Sequence, residues 1–236
     1  MSTPQYSITI GMSVATVTGL MQSGYSLCAF KAVQSANRAA LPVVWSMSQN
    51  LANTVVLAWT GQYQAYISTT QTGANDTIVA MSLIDIELGQ TANVDKNGVL
   101  TVTNQGTERA ISIDNGSSQQ WTAGIAQPCG GGPSPFVALP LYGNFLEVMA
   151  PVEKILLMFI AGSVSVGTII RSSRSRGLLV DFTGATSRNL TFDINKGWDW
   201  GGASWGTAVS PQTDLSSILI TRGPLAKSQL KRKAEG

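Results

Sequence analysis

"VDKNGVLTVT", residues 94–103, carries the reading of the fold. Its Asn97-Gly98 pair sits between two strand-like runs, the strongest short-range signal for a β-hairpin, because both residue types tolerate the left-handed backbone of a tight turn. The period of two that marks these runs extends outward in both directions. Upstream, "DTIVAMSLIDIELG" (76–89) sets Ile84, Ile86 and Leu88 on one face of an extended chain and Asp85 and Glu87 on the other, as expected of a strand with one face on a core and one in water. "NTVVLAWTGQYQAYIST" (53–69) is rich in β-branched and aromatic residues, and "YSITIGMSVATVTG" (6–19) alternates from its start. Downstream, "RAISIDNGSSQQWT" (109–122) adds a strand and a second Asn-Gly, at Asn115-Gly116.

Five more strand-like runs complete the chain: "KILLMFIAG", "VSVGTII", "RGLLVDFTG", "RNLTFDIN" and "DLSSILITRG". The segment from Ile155 to Ile170 is too short for a spanning helix, which needs ~20 apolar residues, and reads as a buried strand followed by a half-exposed one. No stretch keeps a helical period for three turns. "LCAFKAVQSANRAA" (27–40) comes closest and fits a short helix or a strand. The expectation is an all-β antiparallel sandwich with at most one short helix.

Residues 1–226 read as a single all-β domain. "QPCGGGPSP" (127–135), with three glycines and three prolines, marks a half-boundary within it. "ALPVVW" (40–45) is echoed by "ALPLYG" (138–143), and "TVVLAWTG" (54–61) by "KILLMFIAG" (154–162), which suggests two pseudo-repeated halves. Residues 227–236 form a basic tail with four cations and one Glu. They carry +3 of charge, so that the body of the chain is near −1 against a formal total of +2.

"GYSLCAFKAV", "PVVW" and Trp59 in "VLAWTGQYQAY" together resemble uncharacterised fungal intracellular β-proteins over roughly residues 24–70. That resemblance implies an all-β fold and a cytosolic setting, and it implies no function.

What the chain lacks bounds its chemistry. It has no histidine, and so neither the commonest general base and nucleophile activator nor the commonest neutral metal ligand. A Ser-His-Asp triad cannot form. Two cysteines, Cys28 and Cys129, fall short of a closed zinc site or a disulfide framework. No glycine-rich phosphate loop opens a helix, so neither a metal nor a cofactor is expected. The opening "MSTPQYSITIGMS" has no basic region ahead of an apolar run, and a cytoplasmic, reduced protein is the expectation. Charged residues make up 12% of the chain, about half the ~25% usual for globular proteins. With the near-neutral body, this argues against nucleic acid, which needs clustered cations.

The densest aromatic cluster is "NKGWDWGGASWG" (195–206), which holds three of the six tryptophans and four glycines. Trp198 and Trp200 share a face of an extended chain and Asp199 opposes them, while "GGASWG" turns Trp205 back. Indoles beside Asp and Asn suit a neutral sugar, whose C–H patches stack on rings while its hydroxyls take hydrogen bonds. The expected ligand site is therefore Asn195, Trp198, Asp199, Trp200 and Trp205. Trp45 and Trp59, inside strand-like runs, read as core, and of Tyr63 and Tyr66, three apart, one should be buried and one exposed. A weaker anion site is Arg171, Arg174 and Arg176 in "RSSRSRG".

The function expected from these features is cofactor-free, lectin-like recognition by an intracellular defence-type protein. Its partners would be a neutral glycan, a lipid or a small apolar ligand. Cytolytic membrane contact through segments such as "VSVGTIIRSSRS" and assembly into homo-oligomers are further modes. The rival is a histidine-free cyclase or isomerase using Asp181 and Asp193 in a carboxylate-lined pocket.

Overall fold

The computed structural model describes residues 4–222; the basic tail at 227–236 lies outside them. In chain order, β1 (Gln5–Met12) leads into α1 (Val14–Gln22), then β2 (Tyr25–Ser35), β3 (Leu41–Pro42), β4 (Ser46–Ser48), β5 (Thr54–Thr60) and β6 (Tyr63–Ser68). The middle of the chain gives β7 (Ser82–Ile86), β8 (Thr91–Val94), β9 (Leu100–Thr103), β10 (Ile111–Asn115), β11 (Trp121–Pro128), β12 (Pro133–Pro135) and β13 (Val137–Leu141). The remainder is β14 (Leu146–Ala161), β15 (Gly177–Asp181), β16 (Ser187–Asp193), β17 (Gly197–Asp199), β18 (Gly206–Val209), α2 (Leu215–Leu219) and β19 (Ile220–Thr221).

The fold is all-β and sandwich-like, and its described residues form three sheets. A nine-stranded sheet runs β18-β15-β14-β10-β8-β9, with β2 on the other flank of β14 and β4 and β19 paired to β2. A six-stranded sheet runs β3-β13-β11-β6-β7 with β12 on β11, and a four-stranded sheet runs β17-β16-β1-β5. Most pairings are antiparallel; β1–β16, β8–β10 and β2–β19 are parallel. Inner-face residues of all three sheets meet in one apolar core, among them Ile10, Trp59, Ile113, Ile125, Leu139 and Leu157.

The 94–103 hairpin forms, with Val94 opposite Leu100. Its connection is the five-residue segment 95–99, in which Gly98 alone takes a positive φ, of 76°, and the Asp95 carboxylate accepts the Asn97 and Val99 N–H groups at 2.8 Å each. Asn115-Gly116 behaves differently. β10 and β11 belong to different sheets, so the second Asn-Gly turns a corner between layers. Asn115 is fully buried there. Its amide donates to the carbonyls of Gln119 (2.6 Å) and Tyr142 (3.1 Å), and its Oδ1 accepts from the Ser117 N–H and hydroxyl.

Three element readings are corrected. Residues 6–19 are not one strand, because Ser13 caps α1 by accepting the Thr16 N–H at 3.1 Å, and Thr16 and Leu20, one turn apart, face the core. The reading of 27–40 as helix or strand resolves to strand. β2 is buried almost continuously because both its faces are covered: Leu27, Ala29 and Val33 meet the main core, and Cys28, Phe30 and Ala32 meet a second cluster under α2. "VSVGTII" is a turn with isolated bridges at Thr168 and Ile169 instead of a strand. Residues 215–219, expected as strand, form α2 behind an Asp214 cap, so the described residues hold two short helices.

Trp45 and Trp59 are core residues, 0% and 4% exposed. Tyr63 and Tyr66 do occupy opposite faces of β6, but both are buried, since Tyr66 lies under a third cluster with Ile78 and Ile169. The 127–135 segment is a β11–β12 hairpin, and the two "ALP" segments pair with each other across β3 and β13.

Candidate functional site

Phe192 opposite Trp198 anchors the β16–β17 hairpin. The two rings lie 4.7 Å apart, and Trp198 stacks on Phe159 at 5.4 Å with planes 15° apart. The indole N–H donates to the Arg176 carbonyl at 3.1 Å. These contacts fix Trp198 as a half-buried ring on a rigid base. The turn before it is held by Asp193, whose Oδ1 accepts the N–H groups of Asn195 (2.9 Å) and Lys196 (3.0 Å). Donors from Lys196 and Asn195 hold the Asp193 carboxyl below the usual carboxylate range.

An open groove of about 650 Å³ lies beside this ring, where the end of β1 and the start of α1 meet the hairpin. Trp198, Phe192 and Met12 supply apolar surface, while Ser13, Asn53, Asp193, Lys196 and Asp199 supply polar groups. The Asn53 amide is oriented by donating to the Met12 carbonyl at 3.1 Å. The Asp199 carboxylate accepts the Gly201 N–H at 2.9 Å and is exposed.

Of the five residues expected to bind ligand, Trp198 and Asp199 line this groove. Asn195 is exposed on the turn beside it. Trp200 folds back on its own hairpin: its N–H donates to the Ala203 carbonyl at 2.9 Å, and its ring lies so close to Gly206 that a Cβ there would be 2.6 Å from it. Trp205 sits under the Arg188 guanidinium at 5.0 Å. Gly197, Gly201 and Gly202 take positive φ, which turns the backbone of this segment, and Gly206 leaves room for the Trp200 ring.

Asp181 and Asp193 stand in different sheets, on β15 and β16. Burial of Asp181 opposes its ionisation, but hydrogen bonds from Thr183 and the Lys154 ammonium at 3.2 Å overcome this and hold its carboxyl low. Arg174 donates to the Asn75 side chain at 2.6 Å and Arg171 to the Thr72 carbonyl at 3.5 Å, so both reach one neighbouring loop, while Arg176 is exposed beside Trp198.

Sequence reasoning missed a second cluster, inside the core. Lys31 on β2 is 0% exposed and points into the main core between Ala29 and Val33. Its Nζ donates to Gln127 Oε1 at 2.5 Å and lies 3.9 Å from Glu153 Oε2. Four rings surround it: Trp45 at 5.1 Å, Trp59 at 5.6 Å, Phe136 at 5.7 Å and Tyr63 at 5.9 Å. Burial lowers the Lys31 pKa to about 8, with Glu153 and Cys129 opposing the fall. Tyr63 donates to Glu153 Oε1 at 3.1 Å. A β-bulge in β14 between Val152 and Ile155 sets Glu153 into this position. The legible signal was a lysine inside the otherwise apolar run "SLCAFKAV".

Comparison with family models, with curated proteins and with solved structures returns no match to this chain. Among the described residues, no helix is long and apolar enough to cross a membrane.

Proposed function

We propose that this protein is a cofactor-free recognition protein, and more particularly a lectin-like binder of a neutral, hydroxyl-rich ligand in the groove at Trp198. One observation carries the reading. A braced, half-buried indole shares an open groove with Ser13, Asn53, Asp193, Lys196 and Asp199. A sugar ring places C–H groups on one face and hydroxyls at its rim, which matches an aromatic floor edged by carboxylates, an amide and an ammonium. Carboxylates held low accept hydrogen bonds well and serve poorly as general acids, and for this reason the binder is preferred to a carboxylate enzyme built on Asp181 and Asp193. A cytoplasmic setting and a defence role belong to the same proposal; two unpaired thiols, Cys28 and Cys129, agree with reducing surroundings.

The test is a glycan and lipid array followed by titration of intrinsic tryptophan fluorescence. The expected result is saturable binding of a neutral glycan that is lost in Trp198→Ala and weakened in Lys196→Ala, a surface change that leaves the fold intact. Absence of any glycan ligand, or binding indifferent to both substitutions, sinks the proposal.

A further inference from the structure

The Lys31 cluster lies apart from the groove and is not explained by ligand binding, since a fully buried amine is beyond the reach of a solute. As an ion it is poorly served. An ammonium has three N–H donors, and among the described residues Lys31 meets one hydrogen-bond acceptor, Gln127 Oε1, together with the faces of Trp45, Trp59, Tyr63 and Phe136. Glu153 Oε2, 3.9 Å away, is buried and has no hydrogen-bond partner among the described residues. An amine, a carboxamide and a carboxylate thus stand together in an aromatic enclosure, with the amide held from both sides. Gln127 Nε2 donates to the Thr60 carbonyl at 2.6 Å, and the Gln127 main-chain carbonyl accepts from the Trp45 indole at 2.9 Å.

We propose that Lys31 and Gln127 join through an intramolecular isopeptide bond, formed by the protein itself with Glu153 carrying the protons. Glu153 takes a proton from the Lys31 ammonium, and the free amine attacks Gln127 Cδ, the atom next to the oxygen it already contacts. The Nζ–Cδ bond forms and the Cδ–Nε2 bond breaks. Glu153 returns its proton to Nε2, and the departing ammonia takes up the second proton released from Nζ, leaving as ammonium. No oxidant, reductant or further reactant is consumed.

Three features drive the reaction. Burial favours the neutral, nucleophilic amine, since the Lys31 pKa is lowered to about 8. Fixed contact between the partners removes the entropy of encounter. The product exchanges an under-solvated ion for a neutral amide, which the aromatic enclosure accommodates more readily. Lys31 lies on β2 of the nine-stranded sheet and Gln127 on β11 of the six-stranded sheet, so the bond would staple two layers of the sandwich covalently.

The test is the intact mass of the full-length protein, measured under denaturing conditions after incubation of the folded chain above the Lys31 pKa of about 8. The expected mass is short of the sequence mass by one ammonia, with a peptide map joining the segment around Lys31 to the one around Gln127 and no tryptic cleavage after Lys31. Lys31→Met should show the full mass for its sequence, and so should Glu153→Gln with native circular dichroism. A wild-type chain that keeps its full mass overturns the proposal. An ammonia loss that maps to Asn97-Gly98 or Asn115-Gly116, where succinimides form, overturns it equally. Linkage of Glu153→Gln at the wild-type rate overturns the proton-carrying role of Glu153. Should either variant fail to fold, the wild-type mass and map still decide.

Discussion

Replacing Asn115 by Ala tests whether one dipeptide does two different jobs in this fold. The side chain makes four hydrogen bonds: two donated to the Gln119 and Tyr142 carbonyls and two accepted from Ser117. A typical bond contributes about 1 kcal/mol net, and a buried group left unpaired costs about 1–3 kcal/mol. Gln119 and Tyr142 are exposed enough for water to replace their lost donors, whereas Ser117 is buried. The expected loss is therefore about 2–4 kcal/mol. Urea unfolding followed by tryptophan fluorescence would read it as a midpoint lowered by about 0.7–2 M, for a slope of about 2–3 kcal/mol per M. Asn115→Asp should be at least as damaging near neutrality, because a buried carboxylate would face two carbonyl oxygens, and should recover in part in acid, where a protonated carboxyl restores one donor. Asn97→Ala is the control. Asn97 is exposed, takes no positive φ and makes no side-chain hydrogen bond among the described residues, so its change should stay within about 0.5 kcal/mol. Equal costs at Asn97 and Asn115 would refute the assignment of Asn115 as the corner between sheets.

Gly124→Ala should destabilise by about 3 kcal/mol or more, seen as a large drop in melting temperature, because a Cβ would sit 1.9 Å from the Val137 carbonyl oxygen and 2.8 Å from the Tyr66 ring. Tyr66→Phe should cost about 1–3 kcal/mol in the same assay, since the Val137 carbonyl loses its 2.7 Å donor inside the core. Cys28 is fully buried with its thiol pushed up to about 12, so thiol reagents should label it at the rate of unfolding; rapid native labelling would contradict its burial. Asp181→Asn should cost under about 1 kcal/mol, because the pair with Lys154 is partly exposed. The folded pKa of Asp181 lies below its unfolded value. Its contribution is thus complete above the unfolded pKa and lost as pH falls through the folded one, so wild type and Asp181→Asn should converge in acid melts.

Much of the architecture was present in local order. The alternation at 82–86, the hairpin at 94–103 and the burial of Trp45 and Trp59 follow from period and residue type, because side chains on a strand must point alternately to two faces. Local order failed where a second layer intervenes. Tyr66 is buried because Ile78 and Ile169 cover a face that alternation left to solvent. β2 reads as continuous apolar sequence because α2 closes its second side. Asn115-Gly116 carries the same letters as Asn97-Gly98, and only the change of sheet between β10 and β11 makes it a corner.

The two sites divide in the same way. The tryptophan-rich segment was visible as composition, yet the sequence could not say that Trp200 would fold onto its own hairpin and Trp205 under Arg188 while Trp198 stacks on Phe159 beside the groove, because ring placement depends on residues from other strands. Lys31 stands out in sequence only as a lysine inside an apolar run, and Gln127 and Glu153, far along the chain, carry no signal that they meet it. Sequence by itself determined which residues extend as strands and what chemistry the absence of histidine forbids, since both are properties of single residues and their neighbours. Tertiary structure alone decided which side chains meet, because facing sheets bring together atoms separated by about a hundred residues, and burial then resets the chemistry of those atoms.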